Sequence, residues 1–281
     1  MPMREVAAFR DIAGQYDAFL FDQFGVLHDG ARLYPGVLPV LTNLAERRAP
    51  VVIMTNSGKR SAANRARIER MGIDRHLFAE VVSSGEVAWY GIRDGTLGEA
   101  FRPGRRAFAI GRAGDDYGFD DLGLPKAETP AEADFLLILG SNAPATSLDD
   151  YDRLLRGAAA RRIPALCCNP DRLMLTAQGM MPAPGAIAER YGAQGGSVTW
   201  LGKPYREIYL AALGHAGAPA ASRSLAIGDS IEHDIVGGRS AGLGTALVRT
   251  GVSAGLSPAD IDRICQDRRI SPDWILPRLE W

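Results

Sequence analysis

The chain has 281 residues, of which 46% are hydrophobic and 23% are charged, and its 32 basic and 33 acidic residues leave a formal net charge of -1. This composition is typical of a globular protein with a sizeable core, and the lack of a basic excess argues against nucleic-acid binding. Because no run of about 18 apolar residues occurs, we expect no membrane span, and three cysteines without metal-ligand spacing fit a reducing cytoplasm.

The first part of the chain alternates short apolar runs with stretches of helical periodicity. The runs at 18–21, 51–54 and 81–82 predict buried strands, and the stretches at 37–45 and 61–71 predict helices. A β-α-β-α-β order favours a parallel sheet that is covered by helices.

The middle and the last part of the chain show the same alternation. Residues 86–189 contain predicted strands at 108–110, 135–139 and 164–168, and a helix at 147–160 that Ser147 and Asp150 are expected to cap. Further helices are predicted at 205–213 and 235–241, and strands at 225–227 and 245–248. The fold class predicted is therefore α/β, with a three-layer core from residues 1–85 and 190–281 and a second α/β unit inserted at 86–189.

Polar residues follow the first two predicted strands at the points where they end. Asp22 follows the first, and Thr55, Asn56 and Ser57 follow the second. Ligands of open α/β sheets bind at the carboxyl ends of the strands, so these side chains are placed to meet a substrate. Taken singly, each could equally be a helix cap.

Two more polar groups lie in the C-terminal part of the chain. Lys203 stands in a Gly-Lys-Pro turn before a helix, and Asp229 and Asp234 follow a strand five residues apart. A lysine can neutralise a phosphate oxygen, and a pair of carboxylates suits Mg²⁺. The plainer alternatives are a surface lysine, a cap and a surface charge, but all four groups fall in order on the strand ends of one predicted sheet.

This pattern resembles the haloacid dehalogenase (HAD) superfamily. Asp22 matches its first motif, Thr55-Asn56-Ser57 its second, Lys203 its third, and Asp229 with Asp234 its fourth. The 148 residues from Thr55 to Lys203, and the run Asn169-Pro170-Asp171, are similar to the branch (subfamily IIA) of the 4-nitrophenylphosphatases and pyridoxal phosphatase. The resemblance covers nearly the whole chain, with its motifs from about residue 19 to 251. It implies a Rossmann-like core with the inserted α/β unit at 86–189 as a cap domain between the second and third motifs.

The resemblance also implies a mechanism. Asp22 would attack phosphorus and form an aspartyl-phosphate. Mg²⁺ would be bound by Asp22, Asp229 and the backbone carbonyl of Phe24, with Asp234 as a direct ligand or close behind one. The phosphate oxygens would be held by Thr55, Asn56, Ser57 and Lys203.

Phe24 departs from the family pattern. Phosphatases of the family carry at this position a second Asp that protonates the leaving group, and such groups are worth about 10²–10⁴-fold in rate. Three consequences are open: His28 or Asp29 replaces the acid, the substrate has a good leaving group such as a phenol or an acyl group, or the enzyme is slow or vestigial.

The function predicted is that of a Mg²⁺-dependent phosphohydrolase acting on a small phosphorylated metabolite. His28, Asn169 and Asp171 are candidate substrate-binding residues, although Asn169 and Asp171 could instead form an Asx-Pro turn. The alternative is a catalytically weakened phosphometabolite-binding or regulatory protein. Carbon–halogen hydrolysis is a third hypothesis, which the Asp229–Asp234 pair argues against. The resemblance also implies a homodimer.

Overall fold

The structure, a computed structural model, describes residues 3–176 and 179–281. The strands in this part of the chain are β1 (Arg4–Glu5), β2 (Ala18–Asp22), β3 (Val51–Thr55), β4 (Glu80–Ser83), β5 (Ala107–Ile110), β6 (Phe135–Ile138), β7 (Pro164–Cys167), β8 (Leu173–Thr176), β9 (Gly179–Pro182), β10 (Ser197–Trp200), β11 (Ser224–Gly228), β12 (Gly244–Val248) and β13 (Trp274–Leu276).

The α-helices are α1 (Arg10–Ala13), α2 (Val37–Glu46), α3 (Ser61–Arg70), α4 (Ser84–Arg93), α5 (Leu148–Ala160), α6 (Pro184–Ala193), α7 (Arg206–His215), α8 (Val236–Ser240) and α9 (Pro258–Arg268). A π-helix, Ile231–Ile235, runs directly into α8. Short 3₁₀ turns occur at Arg75–Leu77, Glu99–Phe101, Asp120–Leu122, Pro130–Glu132, Ala221–Arg223 and Gly251–Ser253. Within the described ranges, no helix is both long and apolar enough to cross a bilayer.

The contacts divide the chain into two compact units. The first contains the chain up to Thr55, Ala62–Val82 and Lys203–Trp281, and the second contains Asn56–Ser61 and Ser83–Gly202. These ranges differ from the predicted division, whose boundary at 189/190 falls inside α6. The second unit extends to Gly202 because β10 pairs along its whole length with β7.

The first unit is built on a seven-stranded sheet with the order β1-β13-β12-β11-β2-β3-β4. The pairs from β1–β13 to β2–β3 are all parallel. Both faces of the sheet are covered: Phe19 and Phe21 share a buried cluster with Leu41 of α2, and Leu247 shares another with Ile261 of α9. Parallel strands buried on both faces explain the continuous apolar runs in the sequence, and the α/β prediction is confirmed.

The second unit has its own sheet of four parallel strands in the order β10-β7-β6-β5. The strands β8 and β9 form a separate antiparallel pair. Helix α5 begins at the predicted cap, where the side chains of Ser147 and Asp150 each accept a hydrogen bond from the other's backbone N–H. Tyr151 of α5 and Ile187 of α6 belong to the same buried cluster, so each unit has its own core.

The position of β2 determines where a ligand can bind in the first unit. The chain passes from β2 to β3 and β4 on one side, and β11 with its successors lies on the other side. Sheets of this kind bind ligands outside the strand ends at the point where the strand order reverses. This point lies between β2 and β11.

Arg60 and Glu86 form a half-buried ion pair in the second unit. The carboxylate of Glu86 accepts hydrogen bonds from Arg60 Nε at 2.8 Å, Arg60 Nη2 at 3.0 Å and the backbone N–H of Ser61 at 2.8 Å. The Arg60 guanidinium also lies 3.9 Å from the centre of the Trp89 ring. Burial by itself would raise the pKa of Glu86, but these hydrogen bonds lower it below its ordinary value.

We expect Glu86→Gln to lower the free energy of unfolding by about 1–3 kcal/mol at pH 7, because it removes a charged acceptor of three hydrogen bonds. A carboxylate with a lowered pKa contributes stability above its unfolded-state pKa of about 4.3 and loses it as the pH falls. The difference between wild type and variant should therefore shrink below pH 4. Urea denaturation at several pH values measures it, with Glu99→Gln, in the exposed Glu99–Arg102 pair, as a control that changes little. A difference independent of pH would contradict this role.

Candidate active site

Three carboxylates and one lysine meet beyond the ends of β2 and β11. Asp22 is the last residue of β2, Asp229 follows β11 directly, and Asp234 lies on the π-helix that comes next. Each carboxylate places one oxygen within 4.8 Å of the corresponding oxygens of the other two. The side chains of Asp22, Asp229, Asp234 and Lys203 are all buried. The structure thus brings together four residues that the sequence predicted as a site.

Lys203 joins Asp22 to Asp234. Its Nζ lies 2.5 Å from Asp22 Oδ1 and 2.7 Å from Asp234 Oδ1. Burial by itself would lower the pKa of Lys203, but the two carboxylates outweigh it and hold that pKa well above its ordinary value. The lysine is therefore a permanent ammonium, fixed against the carboxylate that the sequence predicts as nucleophile. Asp22 Oδ1 also accepts the backbone N–H of Gln23 at 2.7 Å.

Asp229 is held by the loop that follows β12. Its Oδ2 accepts the N–H of Val252 at 2.7 Å. Two glycines make room for this carboxylate, since a Cβ would lie 2.1 Å from Asp229 Oδ2 at Gly25 and 1.8 Å from it at Gly251. Both glycines have positive φ angles of 88° and 51°, which also disfavour a side chain. The close backbone approach explains why glycines occupy these loops.

Asp234 is positioned by the π-helix Ile231–Ile235. Its Oδ2 accepts the N–H of Ser230 at 3.1 Å, and a Cβ at Gly228 would lie 2.0 Å from its Cγ. The buried Tyr209 of α7 donates its hydroxyl to the backbone carbonyls of His233 at 3.1 Å and Asp234 at 3.3 Å. Single π-turns are rare and often mark functional sites. Here the π-helix places the Asp234 carboxylate against Lys203 Nζ.

The charge in this cluster fits a divalent cation. Three carboxylates against one ammonium leave two excess negative charges when all four groups are ionised. Burial, followed by the neighbouring carboxylates, raises the pKa of Asp22 well above its ordinary value, although Lys203 opposes the shift. Burial and Asp234 raise the pKa of Asp229 to about 7. Clustered carboxylate oxygens are the ligands that Mg²⁺ prefers, so Asp22, Asp229 and Asp234 match the donor set of such a site.

The loop after Asp22 places Phe24 and His28 side by side. The Phe24 ring is 41% exposed and lies edge-on to the His28 ring, with 5.6 Å between the centroids. His28 is only 1% exposed, and its Nδ1 accepts the N–H of Gly30 at 2.9 Å. Burial and the charge of Arg67 lower the pKa of His28 to about 4. The imidazole is therefore neutral near pH 7 and has a structural role in the loop, which argues against His28 as the predicted proton donor or substrate ligand.

Asp29 is the second residue that the sequence offers as a replacement for the missing acid. Its Oδ1 accepts the N–H groups of Ala31 and Arg32, both at 2.8 Å. These backbone hydrogen bonds lower the pKa of Asp29, so the group is an ionised turn acceptor. The structure thus shows Asp29 as a hydrogen-bond acceptor within a turn, which argues against Asp29 as the proton donor.

The predicted phosphate-binding residues are divided between the two units. Thr55 ends β3, next to β2, where Asp22 pairs in register with Met54. Asn56 and Ser57 belong to the second unit. There Asn56 Nδ2 donates to Asp171 Oδ1 at 2.8 Å, so a candidate substrate residue instead contacts a candidate phosphate ligand.

Asn169 and Asp171 form the turn that the sequence left as an alternative. Asn169 Oδ1 accepts the N–H of Asp171 at 3.0 Å, which is an Asx turn. The turn presents the Asp171 carboxylate to Asn56. The phosphate-binding roles of Thr55, Asn56 and Ser57 stay predictions.

The sequence did not reveal the residues that support this site from behind. Tyr209 reads as one more apolar position of an amphipathic helix, and Ser230 and Val252 contribute through backbone N–H groups, which carry no sequence signal. The sequence signal of this close packing is Gly228, which ends β11 directly before Asp229.

Comparison with known proteins agrees with this geometry. The family model of the haloacid dehalogenase-like hydrolases matches residues 19–125, and a HAD-hydrolase-like model matches residues 200–280. The chain is 28% identical to chronophin from Rattus norvegicus, over 88% of the chain and 81% of that protein. It is 25% identical to dihydroxyacetone phosphatase from Corynebacterium glutamicum, over 84% and 82% respectively. The crystal structure of a 4-nitrophenylphosphatase from Thermotoga maritima superposes with a TM-score of 0.72 and 25% identity, over 94% of this chain and 95% of that one.

The variant Lys203→Met should destabilise the metal-free protein by about 3–5 kcal/mol, because it leaves buried carboxylates without their counter-ion. Addition of Mg²⁺ should restore part of the loss by offsetting the same charge. Urea denaturation in EDTA and in excess Mg²⁺ measures both effects. Lys126→Met serves as the control, since Lys126 forms an exposed pair with Asp120. Equal stability of Lys203→Met and wild type would show that the buried pair does not hold this site together.

The variant Tyr209→Phe removes one hydroxyl donor and no ring atoms. We expect the free energy of unfolding to fall by about 1–2 kcal/mol, because two carbonyls of the π-turn lose their donor. The affinity for Mg²⁺ should fall about tenfold, as for other groups that orient a metal ligand. Denaturation and calorimetric titration with Mg²⁺ give the two values, and Tyr90→Phe, at an exposed position of α4, is the control. Unchanged Mg²⁺ affinity would limit Tyr209 to a packing role.

Proposed function

The chain belongs to the haloacid dehalogenase-like hydrolases, in the branch of the 4-nitrophenylphosphatases, and on that premise we propose that it is a Mg²⁺-dependent phosphohydrolase with Asp22 as nucleophile. Relatives that are named phosphatases support hydrolysis of a small phosphorylated substrate. The observation that carries the proposed Mg²⁺ dependence and the role of Asp22 is the buried Asp22–Lys203 pair beside Asp229 and Asp234.

The first chemical step forms a covalent intermediate. A carboxylate oxygen of Asp22 attacks phosphorus in line, the bond from phosphorus to the ester oxygen breaks, and the electron pair departs with that oxygen. Burial favours the protonated carboxyl, which is a poor nucleophile, and the Lys203 ammonium at 2.5 Å opposes this by stabilising the ionised form. The same positive charge faces the charge that develops on the phosphoryl group.

The second step regenerates the enzyme. A water oxygen attacks the phosphorus of the aspartyl-phosphate, and the bond from phosphorus to the Asp22 oxygen breaks. Asp22 leaves as a carboxylate, while the protons of the water stay on phosphate or pass to solvent. Asp22 therefore returns to its ion pair with Lys203.

Asp22, Asp229 and the carbonyl of Phe24 would hold Mg²⁺, with Asp234 as a further carboxylate. A bound Mg²⁺ supplies charge neutralisation and polarisation of phosphoryl oxygens. Asp234 also fixes the other side of Lys203, at 2.7 Å from its Nζ. The lysine is thereby shared between the nucleophile and Asp234. A divalent cation held by Asp22 would favour the ionised form of this carboxylate, as Lys203 does.

We assign phosphate binding to Thr55, Asn56, Ser57 and Lys203. The side-chain amide of Asn56 is engaged by Asp171 at 2.8 Å, which supports a role of the Asn56 backbone N–H, rather than its side chain, toward phosphate. Asp171 would then act by fixing the conformation of this segment. A small phosphorylated metabolite is the expected ligand, and a homodimer and a cytoplasmic location stay predictions from the sequence.

A second candidate is a phosphometabolite-binding protein of low catalytic power. The observation that favours it is Phe24, which offers no proton to a leaving group. It would keep the carboxylate cluster and Lys203 for binding. Carbon–halogen hydrolysis needs no such cluster of metal-binding carboxylates, so the presence of Asp229 and Asp234 beside Asp22 disfavours it.

The test is phosphate release from 4-nitrophenyl phosphate in Mg²⁺ and in EDTA. Asp22→Asn should lower kcat by about 10⁴-fold or more, because it removes the nucleophile, and EDTA should abolish the wild-type reaction. Asp17→Asn is the matched control, since Asp17 lies at the other end of β2 in an exposed pair with Arg223. Full activity of Asp22→Asn would refute the nucleophile. Wild-type binding of Mg²⁺ and phosphate without turnover would favour the binding protein.

A further inference from the structure

The ring of Phe24 is fixed on the loop that follows the nucleophile. It is an exposed apolar side chain among buried neighbours, since Gln23 and Gly25 on either side are buried. It packs edge-on against His28 and across the backbone of Gly30, where a Cβ would lie 2.8 Å from Phe24 Cε2. The side chain two residues beyond Asp22 is thus a packed hydrocarbon that has no proton to donate.

The rest of this loop also contains no acid suited to neutral pH. The His28 side chain is buried, and its Nδ1 accepts the N–H of Gly30, so the ring is engaged as a hydrogen-bond acceptor within the loop. The Asp29 carboxylate accepts two backbone N–H groups. Burial raises the pKa of the Tyr34 phenol above its ordinary value, which makes it a weaker acid still. The loop therefore offers no proton donor for the leaving group among Phe24, His28, Asp29 and Tyr34.

The chemistry of the leaving group follows from this lack. The alkoxide of an ordinary alcohol is about as basic as hydroxide, whose conjugate acid has a pKa of about 15.7, and it departs poorly without a proton. A phenolate, with a conjugate acid near pKa 10, or a carboxylate, with one near 4, departs unaided. The missing acid thus selects among phosphate compounds by the basicity of the leaving oxygen.

We propose that this site acts on aryl or acyl phosphates, whose leaving oxygen departs as a stabilised anion, and not on phosphate esters of ordinary alcohols. This inference rests on the proposed function. In the first step the P–O bond to the leaving group breaks, and the phenolate or carboxylate leaves with the electron pair and no proton. Asp22 gains the phosphoryl group, and water later returns it to a carboxylate and releases inorganic phosphate.

The experiment compares kcat/KM along a series of substituted phenyl phosphates, with acetyl phosphate and glycerol phosphate as further substrates. This parameter covers only the steps through departure of the leaving group, so hydrolysis of the intermediate does not affect it. In wild type, kcat/KM should fall steadily as the leaving phenol becomes more basic. It should be at least about 10²-fold lower for glycerol phosphate than for 4-nitrophenyl phosphate, which is the lower bound for the worth of a general acid. Comparison of kcat/KM for acetyl phosphate with kcat/KM for the phenyl phosphates shows whether the site prefers acyl or aryl phosphates.

Variants at Phe24 provide the internal control. Phe24→Asp restores a carboxyl group and should raise the glycerol phosphate to 4-nitrophenyl phosphate ratio by about 10-fold or more. In Phe24→Asn the side chain has nearly the shape of the aspartate in Phe24→Asp but no acidic proton, so this variant should keep the wild-type ratio. An equal rise in both variants would mean that the ring blocks alkyl substrates sterically and would overturn the inference.

The wild-type series alone also decides the matter if a variant fails to fold. A flat series, or glycerol phosphate turnover equal to that of 4-nitrophenyl phosphate and lost in Asp22→Asn, would overturn the leaving-group inference and leave the proposed function standing. No Asp22-dependent turnover of any substrate would instead refute the proposed function and, with it, the inference.

Discussion

The arrangement of the site depends on one buried ammonium group. Lys203 lies 2.5 Å from Asp22 and 2.7 Å from Asp234, and without it three carboxylates would share a buried space unopposed. Each buried charge is costly unless it is paired. The pairing therefore stabilises the contact between the end of β2, the π-helix after β11 and the turn before α7. The same contact sets the chemistry, because it stabilises the ionised form of Asp22 against the effect of burial and leaves an excess negative charge that a divalent cation can offset.

The surroundings of this contact are adapted to close approach. Gly25, Gly228 and Gly251 stand where a Cβ would collide with Asp229 or Asp234, and Tyr209 fastens the π-turn through its backbone carbonyls. Glycines weaken loops in general, yet here they allow carboxylates to be enclosed by backbone. The folded backbone thus holds these carboxylates in place, which is the preorganisation that electrostatic catalysis requires.

The sequence alone predicts the site residues at the strand ends, but not the groups that hold those residues in place. Asp22 and Asp229 could be predicted because buried strands are short apolar runs and their carboxyl ends meet at one edge of a parallel sheet. The π-helix around Asp234 could not be predicted, because the sequence pattern indicates a helix only from residue 235, and Tyr209, which donates to two carbonyls of the π-helix, comes from another element. The burial of His28 and the pairing of β10 with β7 depend on tertiary contacts between segments far apart in the chain. They leave no local periodicity to read.

If Asp22 is the nucleophile, it carries the phosphoryl group during turnover. The most direct measurement is to mix the enzyme with Mg²⁺ and 4-nitrophenyl phosphate, quench it in acid within one turnover, and reduce the acyl phosphate with borohydride before peptide mapping by mass spectrometry. We expect reduction at Asp22 alone in the wild type, with none at Asp229 or Asp234, and no reduction at any residue of the Asp22→Asn variant. A phosphorylated residue other than Asp22, or rapid turnover with no trapped acyl phosphate, would contradict it.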